Sequence, residues 1–200
     1  MSSLTVDNIT NVDAAWSKAT LPITGSNFTL GPGWGVWEFV SNALISSLGD
    51  GTPANIDVTS MAVGYDYLVS LRGIVPATDG VTLEAQLSQS GTFLAGSSYN
   101  DTSTGAASMT LNGGGISMGN ASTEGGSFEV FVPEPNKGST NKFVRADGLV
   151  GYTDGVVYES NDGGELVANQ NACDGLRLSL SGAGDFQATG SVSVFRRRIS

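Results

Sequence analysis

Two stretches of this sequence place aromatic rings beside carboxylate or carboxamide oxygens. Their residues are Phe93, Tyr99, Asn100 and Asp101 in one loop-like stretch, and Tyr152 and Asp154 near another turn. An aromatic face stacks on a sugar ring, while neighbouring oxygens form paired hydrogen bonds with its hydroxyl groups. The pattern predicts a glycan-binding surface on exposed loops. Packing of Tyr99 and Tyr152 at strand ends is the alternative interpretation.

Residue types that support catalysis are scarce. The chain has no histidine, one cysteine (Cys173) and 19 acidic residues. Without histidine, Ser-His-Asp and Cys-His catalysis and His-ligated zinc cannot be built in their usual form. A pair of carboxylates suits a glycosidase, but many of the acids stand beside glycine, where they cap turns. We therefore predict that the protein is not an enzyme and that Cys173 is a small buried residue.

One segment offers oxygen ligands for a metal ion. Asn161, Asp162 and Glu165 flank two glycines and would lie on a loop, where Ca²⁺ finds such ligands. The spacing does not match that of an EF-hand, and a solvated turn explains the same residues. We predict neither a metal site nor any other cofactor.

The elements that must position these loops are β-strands. In residues 65–71 and 81–87 apolar side chains alternate with polar ones, which predicts a pair of half-buried antiparallel strands joined by a turn. Asp-Gly pairs predict tight turns at six places. These are Asp50, Asp79, Asp147, Asp154, Asp162 and Asp174. With nine to eleven short strands and no long helix, the chain fits an all-β, antiparallel β-sandwich that is jelly-roll-like.

The two ends of the chain differ from its middle. Residues 1–33 have little pattern and are predicted to form an extended N-terminal arm that docks on another protein, whereas residues 34–200 form the sandwich. A first edge strand after a disordered start is the alternative interpretation of residues 1–33. Trp34 and Trp37 begin a strand with bulky groups on both faces, which suggests burial on two sides or cover by a neighbouring subunit. Arg196, Arg197 and Arg198 form a basic cluster on an acidic chain, either as a guard on an edge strand or as a clamp onto another copy.

Charge and composition limit the partners. The net charge of −10 disfavours nucleic acid, because phosphates would be repelled. No window approaches the roughly 20 apolar residues of a membrane span, and the N-terminus shows no signal peptide, so we expect synthesis in a host cytoplasm. One cysteine cannot form an intrachain disulfide. A protein assembled inside a cell and released in a particle would fit these features together.

Two segments of the chain resemble a known group of proteins. Their residues are Tyr65, Asp66, Leu71, Gly73, Ile74, Pro76, Ala77, Thr78, Asp79, Gly80, Val81, Leu83, Ser88, Ser90 and Gly91 in the middle, and Asp174, Gly175, Leu176, Arg177, Leu178, Thr189, Gly190, Ser191, Val192, Ser193 and Val194 at the end. This pattern resembles structural proteins of tailed phages, prophages and gene transfer agents. The resemblance implies a jelly-roll-like domain in a tail fibre, head spike or capsid decoration protein, often multimeric and often in contact with host-surface glycans. It brings no catalytic residue.

The leading hypothesis is therefore a virion structural protein that the arm anchors to other virion proteins. We expect a homo-oligomer, a trimer or pentamer, whose outward loops attach to host-surface polysaccharide by many weak contacts. The alternatives are a polysaccharide-degrading enzyme on the particle and a free carbohydrate-binding module.

Overall fold

The described part of the chain is built from β-strands. The computed structural model describes residues 37–48, 51–96, 98–100, 104–112, 116–151, 156–167 and 170–199. The strands in this part are β1 Glu38–Leu44, β2 Asn55–Thr59, β3 Tyr65–Ile74, β4 Leu83–Gln89, β5 Thr92–Phe93, β6 Tyr99–Asn100, β7 Thr104–Ala106, β8 Met109–Thr110, β9 Gly126–Val132, β10 Lys142–Gly151, β11 Val157–Leu166, β12 Gly175–Leu180 and β13 Ser191–Arg198. The helical segments in these ranges are two 3₁₀ turns, Ile45–Ser47 and Ser181–Ala183. The predicted arm, residues 1–33, lies outside the described residues.

The strands form two antiparallel sheets. The larger has eight strands in the order β1-β13-β3-β9-β10-β11-β6-β7, and the smaller has the order β2-β12-β4-β5 with β8 also paired to β4. The prediction of an all-β, antiparallel fold is confirmed. Within the described ranges, no helix is long and apolar enough to cross a membrane.

A shared core lies between the two sheets. In the larger sheet alternate residues such as Val69, Leu71 and Val130 are buried, and in the smaller sheet Leu87 and Leu178 face them. Alternation along each strand sends the intervening side chains to the outer face. The sequence pattern thus fixes which residues each sheet presents to solvent.

The two central strands do not pair with each other as predicted. β3 lies in the larger sheet, between β13 and β9, whereas β4 lies in the smaller sheet beside β12. The connecting segment forms a bridge between Pro76 and Phe186, and the Ala77 N–H donates to the Asp185 carbonyl at 2.7 Å. The alternation was a correct signal for two strands, but a turn signal cannot tell a hairpin from a crossing between sheets.

Three of the predicted Asp-Gly turns are wrong. Asp174 leads directly into β12, which begins at Gly175. Asp147 lies inside β10 and Asp162 inside β11, where they pair with Asn161 and Ala146 across the ladder. By contrast, Gly80 does form a turn, with a φ of +73°. An Asp-Gly pair also suits a strand in which the glycine has a close neighbour, because a side chain would not fit there.

The first strand is exposed, although its sequence predicted burial on two sides. All but one of the residues of β1 are exposed, the exception being the half-buried Ala43. β1 is the terminal strand of the larger sheet and pairs with β13. Cover by a neighbouring subunit, the other prediction for this strand, remains a prediction.

Candidate functional site

The outer face of the larger sheet carries a shallow groove of about 610 Å³. Its side chains come from four neighbouring strands. They are Arg72 on β3, Ser127 and Glu129 on β9, Asp147 and Leu149 on β10, and Glu159 and Asn161 on β11. The register explains this grouping, because Asp147 lies opposite both Glu129 and Asn161, and Leu149 lies opposite Glu159. We call this set the acidic groove.

Some polar groups of the acidic groove are already engaged. Arg72 forms an ion pair with Glu129, which also accepts a hydrogen bond of 3.0 Å from the Ser70 hydroxyl. Arg145 forms an ion pair with Asp147 at 3.0 Å. These ion pairs neutralise part of the charge of the two carboxylates.

Glu159 and Asn161 are two exposed groups of the acidic groove that can form further hydrogen bonds. Neither side chain has a hydrogen bond or ion pair with any residue in the described ranges, and both are exposed. They stand two apart on β11 and therefore point to the same face, about 7 Å from each other. A carboxylate and a carboxamide at this spacing can accept and donate hydrogen bonds to one polar ligand.

An apolar row crosses the same face beside the acidic groove. Phe39, Phe195, Leu68 and Phe131 lie opposite one another on β1, β13, β3 and β9. The rings of Phe39 and Phe195 meet edge to face with centroids 5.8 Å apart, and Trp37 meets Phe131 in the same way at 6.1 Å. We call Phe39, Phe195, Leu68 and Phe131 the apolar row. On β3, Leu68 is one outward position from Ser70. On β9, Phe131 is one outward position from Glu129.

Two of the three arginines in the basic cluster, Arg196 and Arg197, contact other residues of the same chain. Arg196 donates to Glu38 at 3.1 Å and lies over the ring of Tyr65, and its pKa is raised chiefly by the hydrogen bond to Glu38. Arg197 donates to Asp66 at 2.5 Å and lies over Trp37. Arg198 pairs with Tyr65 in the ladder. The interpretation of these arginines as a guard on an edge strand does not fit their position, because β13 lies between β1 and β3.

The predicted glycan-binding residues do not come together. Phe93 lies in the smaller sheet with Arg177 stacked 4.0 Å above its ring, whereas Asn100 lies in the larger sheet opposite Glu165. The expectation that Tyr99 is exposed is wrong, because its ring is buried in the core. Asp101, Tyr152, Asp154 and Trp34 lie outside the described residues.

The segment considered for calcium is not a loop. Asn161, Asp162 and Glu165 lie within β11 and are paired with β10 along their whole length. No cluster of three acidic or cysteine side chains that could hold a metal ion occurs in the described ranges. Cys173 is buried as predicted, and burial raises the pKa of its thiol.

The sequence contained a signal for the acidic groove that loop-based reasoning missed. Glu129 alternates with the buried Phe128 and Val130, and Asp147 alternates with Ala146 in β10. Charged residues at outward positions of adjacent strands must share one face. The order of the strands was needed to know that β9, β10 and β11 are neighbours.

The comparisons with known proteins do not identify the chain. No family model, no curated protein and no solved structure matches it.

Proposed function

We propose that this protein is a non-catalytic virion structural protein of a tailed phage or phage-like particle, displayed in several copies to attach to host-surface glycans. The proposal includes a jelly-roll-like connection of the strands, an arm formed by residues 1–33 that joins other virion proteins, and a location in a head spike, a capsid decoration or a tail fibre. The resemblance in the middle and at the end of the chain supports the class of protein. The proposed glycan contact is inferred from the residues on the outer face of the larger sheet.

The observation that carries the glycan assignment is the acidic groove beside the apolar row. Sugars present hydroxyl groups around their edges and patches of C–H groups on their faces, so a matching site needs both polar and apolar groups. Glu159 and Asn161 supply unengaged polar atoms, and Leu149 supplies an exposed apolar side chain between them and β9. Phe131 and Leu68 lie about 7 Å along their own strands from Glu129 and Ser70. A short stretch of polysaccharide can contact both sets.

The position of the site on strands suits recognition without chemistry. The groove residues of β3, β9 and β10 belong to strands that have a neighbouring strand on both sides. β11 is paired with β10 along its whole length and, among the described residues, with β6 at Glu165 and Leu166. Side chains on such a scaffold lose little freedom when a ligand binds. A flat, open groove also leaves a long polymer free to enter and leave, which fits weak binding by many copies.

The first test is binding of the purified protein to a panel of bacterial capsular and surface polysaccharides. Glu159→Gln should weaken binding roughly tenfold, because a charged hydrogen bond is replaced by a neutral one. Asn161→Ala should weaken it to a similar extent. Asp185→Asn changes an exposed carboxylate outside both sheets and serves as the control. Equal binding by the two groove variants and the control would remove the acidic groove from the proposal.

A second candidate is a polysaccharide-degrading enzyme. The observation that favours it is the presence of Glu129, Asp147 and Glu159 in one groove, since glycosidases use a pair of carboxylates. The two candidates are separated by the length of the polysaccharide after incubation. Binding without shortening supports attachment, whereas shortening that is lost in Glu159→Gln or Asp147→Asn supports the enzyme.

A further inference from the structure

The edge strand β1 has the features of a contact surface. It is the last strand of the larger sheet, and in the described ranges its one sheet partner is β13. Phe39, Val40 and Leu44 expose 61%, 45% and 62% of their surface. The strand contains neither lysine nor proline, the residues that commonly protect an edge against pairing. A bulge interrupts its ladder between Phe39 and Ser41, which leaves Ser41 to Leu44 regular.

The charge of this edge suits a second copy of the same chain. The molecule carries a net charge of −10, so most contacts between copies bring like charges together. β1 contains one charged residue, Glu38, and this carboxylate is paired with Arg196. The segment from Ser41 to Leu44 has no charge at all. Two acidic copies can therefore approach along β1 without the repulsion that other faces would cause.

We propose that two copies of this protein pair through β1, antiparallel and around a two-fold axis, so that their larger sheets join into one. Free N–H and C=O groups of an edge strand are best matched by another strand, and an isologous contact needs only one surface that fits itself. The antiparallel arrangement places the Glu38–Arg196 pairs of the two copies at opposite ends of the contact. No like charges then face each other.

The symmetry fixes the register of this contact. A two-fold axis normal to the sheet keeps outward residues outward in both copies, so one residue of β1 must lie opposite its own counterpart. Within the regular segment, Asn42 and Ala43 are the central positions that satisfy this condition. An edge strand paired with itself closes after two copies, which differs from the trimer or pentamer that we expected. Both acidic grooves then face the same side, and this last point alone rests on the proposed function.

Disulfide trapping of the full chain tests the contact. The one natural cysteine, Cys173, is buried, so an introduced cysteine reacts with little background. Opposed residues in an antiparallel pair have Cβ atoms about 5 Å apart, close to the spacing of a disulfide. Under mild oxidation we expect covalent dimers from either Asn42→Cys or Ala43→Cys. The variant at the other position should form little covalent dimer. Ser193→Cys, on the neighbouring strand β13, is the control and should give no covalent dimer.

Sedimentation of the untrapped protein completes the test. The parent chain should sediment as a dimer, Leu44→Lys should shift it to monomer, and Val157→Lys on β11 should leave the dimer intact because that exposed residue lies away from β1. A monomeric parent chain, or a dimer that survives Leu44→Lys and gives no disulfide at either position, overturns the proposal. Glycan binding by the monomeric variant is measured separately, so the two proposals can fail independently.

Discussion

Tyr99 is a core residue whose hydroxyl group satisfies buried backbone groups. The Leu87 N–H donates to its oxygen at 2.8 Å, and the hydroxyl lies 3.2 Å from the Leu94 carbonyl. Desolvation is the main reason why its pKa lies above the ordinary value, and the phenol therefore stays neutral. Its neighbours in the sequence are polar, which is why the local pattern indicated a loop.

Replacing Tyr99 with phenylalanine should destabilise the protein. The change leaves the buried Leu87 N–H without its acceptor, which costs about 1–3 kcal/mol of unfolding free energy. Chemical denaturation measures the loss. Tyr65→Phe is the control, because its half-exposed ring keeps its contact with Arg196 without needing the hydroxyl. Equal stabilities of the two variants would contradict the assigned role of Tyr99.

Lys142 is a buried cation, and this predicts a rise of stability with pH. Its ammonium group donates to the Thr140 carbonyl at 2.5 Å, while desolvation lowers its pKa from 10.5. Between the lowered value and 10.5 the unfolded chain holds more protons than the folded one, so the free energy of unfolding increases as pH rises through this window. Below the window the full cost of burying the charge is present.

The variant Lys142→Met isolates this effect. It removes the titrating group, so the difference in unfolding free energy between the parent chain and the variant should move in favour of the parent as pH rises toward 10.5. Other groups near the site, Cys173, Glu134 and Lys137, are common to both proteins. Denaturation curves at several alkaline pH values give the difference. A constant difference would show that Lys142 does not titrate in this way.

At the scale of elements, the alternating pattern predicted strands well and their partners poorly. The predicted inward positions of residues 67–71 and 81–87 are buried as expected, whereas Tyr65 is half-buried. That β3 and β4 belong to different sheets depends on the segment around Pro76 and on Phe186, which is more than 100 residues away in the sequence. The acidic groove needed the same long-range information. Local periodicity fixes which face a residue takes, whereas only the order of the strands brings distant carboxylates together.

Gly148 lines the acidic groove at a position with no room for a side chain. It lies in β10, and a Cβ atom there would stand 2.4 Å from the Ser127 carbonyl oxygen and 2.6 Å from the ring of Phe128. Gly148→Ala should therefore lower the unfolding free energy by about 1–3 kcal/mol, as overpacking does. Gly138→Ala is the control, since nothing lies within 4 Å of the added methyl group. Thermal denaturation of both variants checks the prediction, and similar melting temperatures would count against it.

At the scale of the whole molecule, composition limited the function more than any motif did. Lack of histidine and a single cysteine disfavoured the common nucleophilic mechanisms, and the negative charge disfavoured nucleic acid. For this reason we proposed attachment rather than catalysis. The resemblance to phage structural proteins is the basis of the proposed virion role, and the outer face of the larger sheet is the proposed glycan-binding surface.

If residues 1–33 form the proposed arm, their anchoring function should be separable from the sheets. Removing residues 1–33 should leave a domain that folds, because the core of the described residues is formed by the two sheets. The truncated protein should fail to join particles when it replaces the full chain in a producing cell. Circular dichroism reports folding, and protein analysis of purified particles reports incorporation. Normal incorporation of the truncated protein would refute the anchor.

The most direct test of glycan attachment is a map of the contact by amide NMR, with fragments of a polysaccharide that the protein binds. Shifted signals should cluster at Glu129, Asp147, Glu159 and Asn161 on the outer face of the larger sheet. The polysaccharide should keep its length throughout the titration. Shifts confined to the smaller sheet, or a polysaccharide that shortens during the experiment, would contradict non-catalytic attachment through the acidic groove.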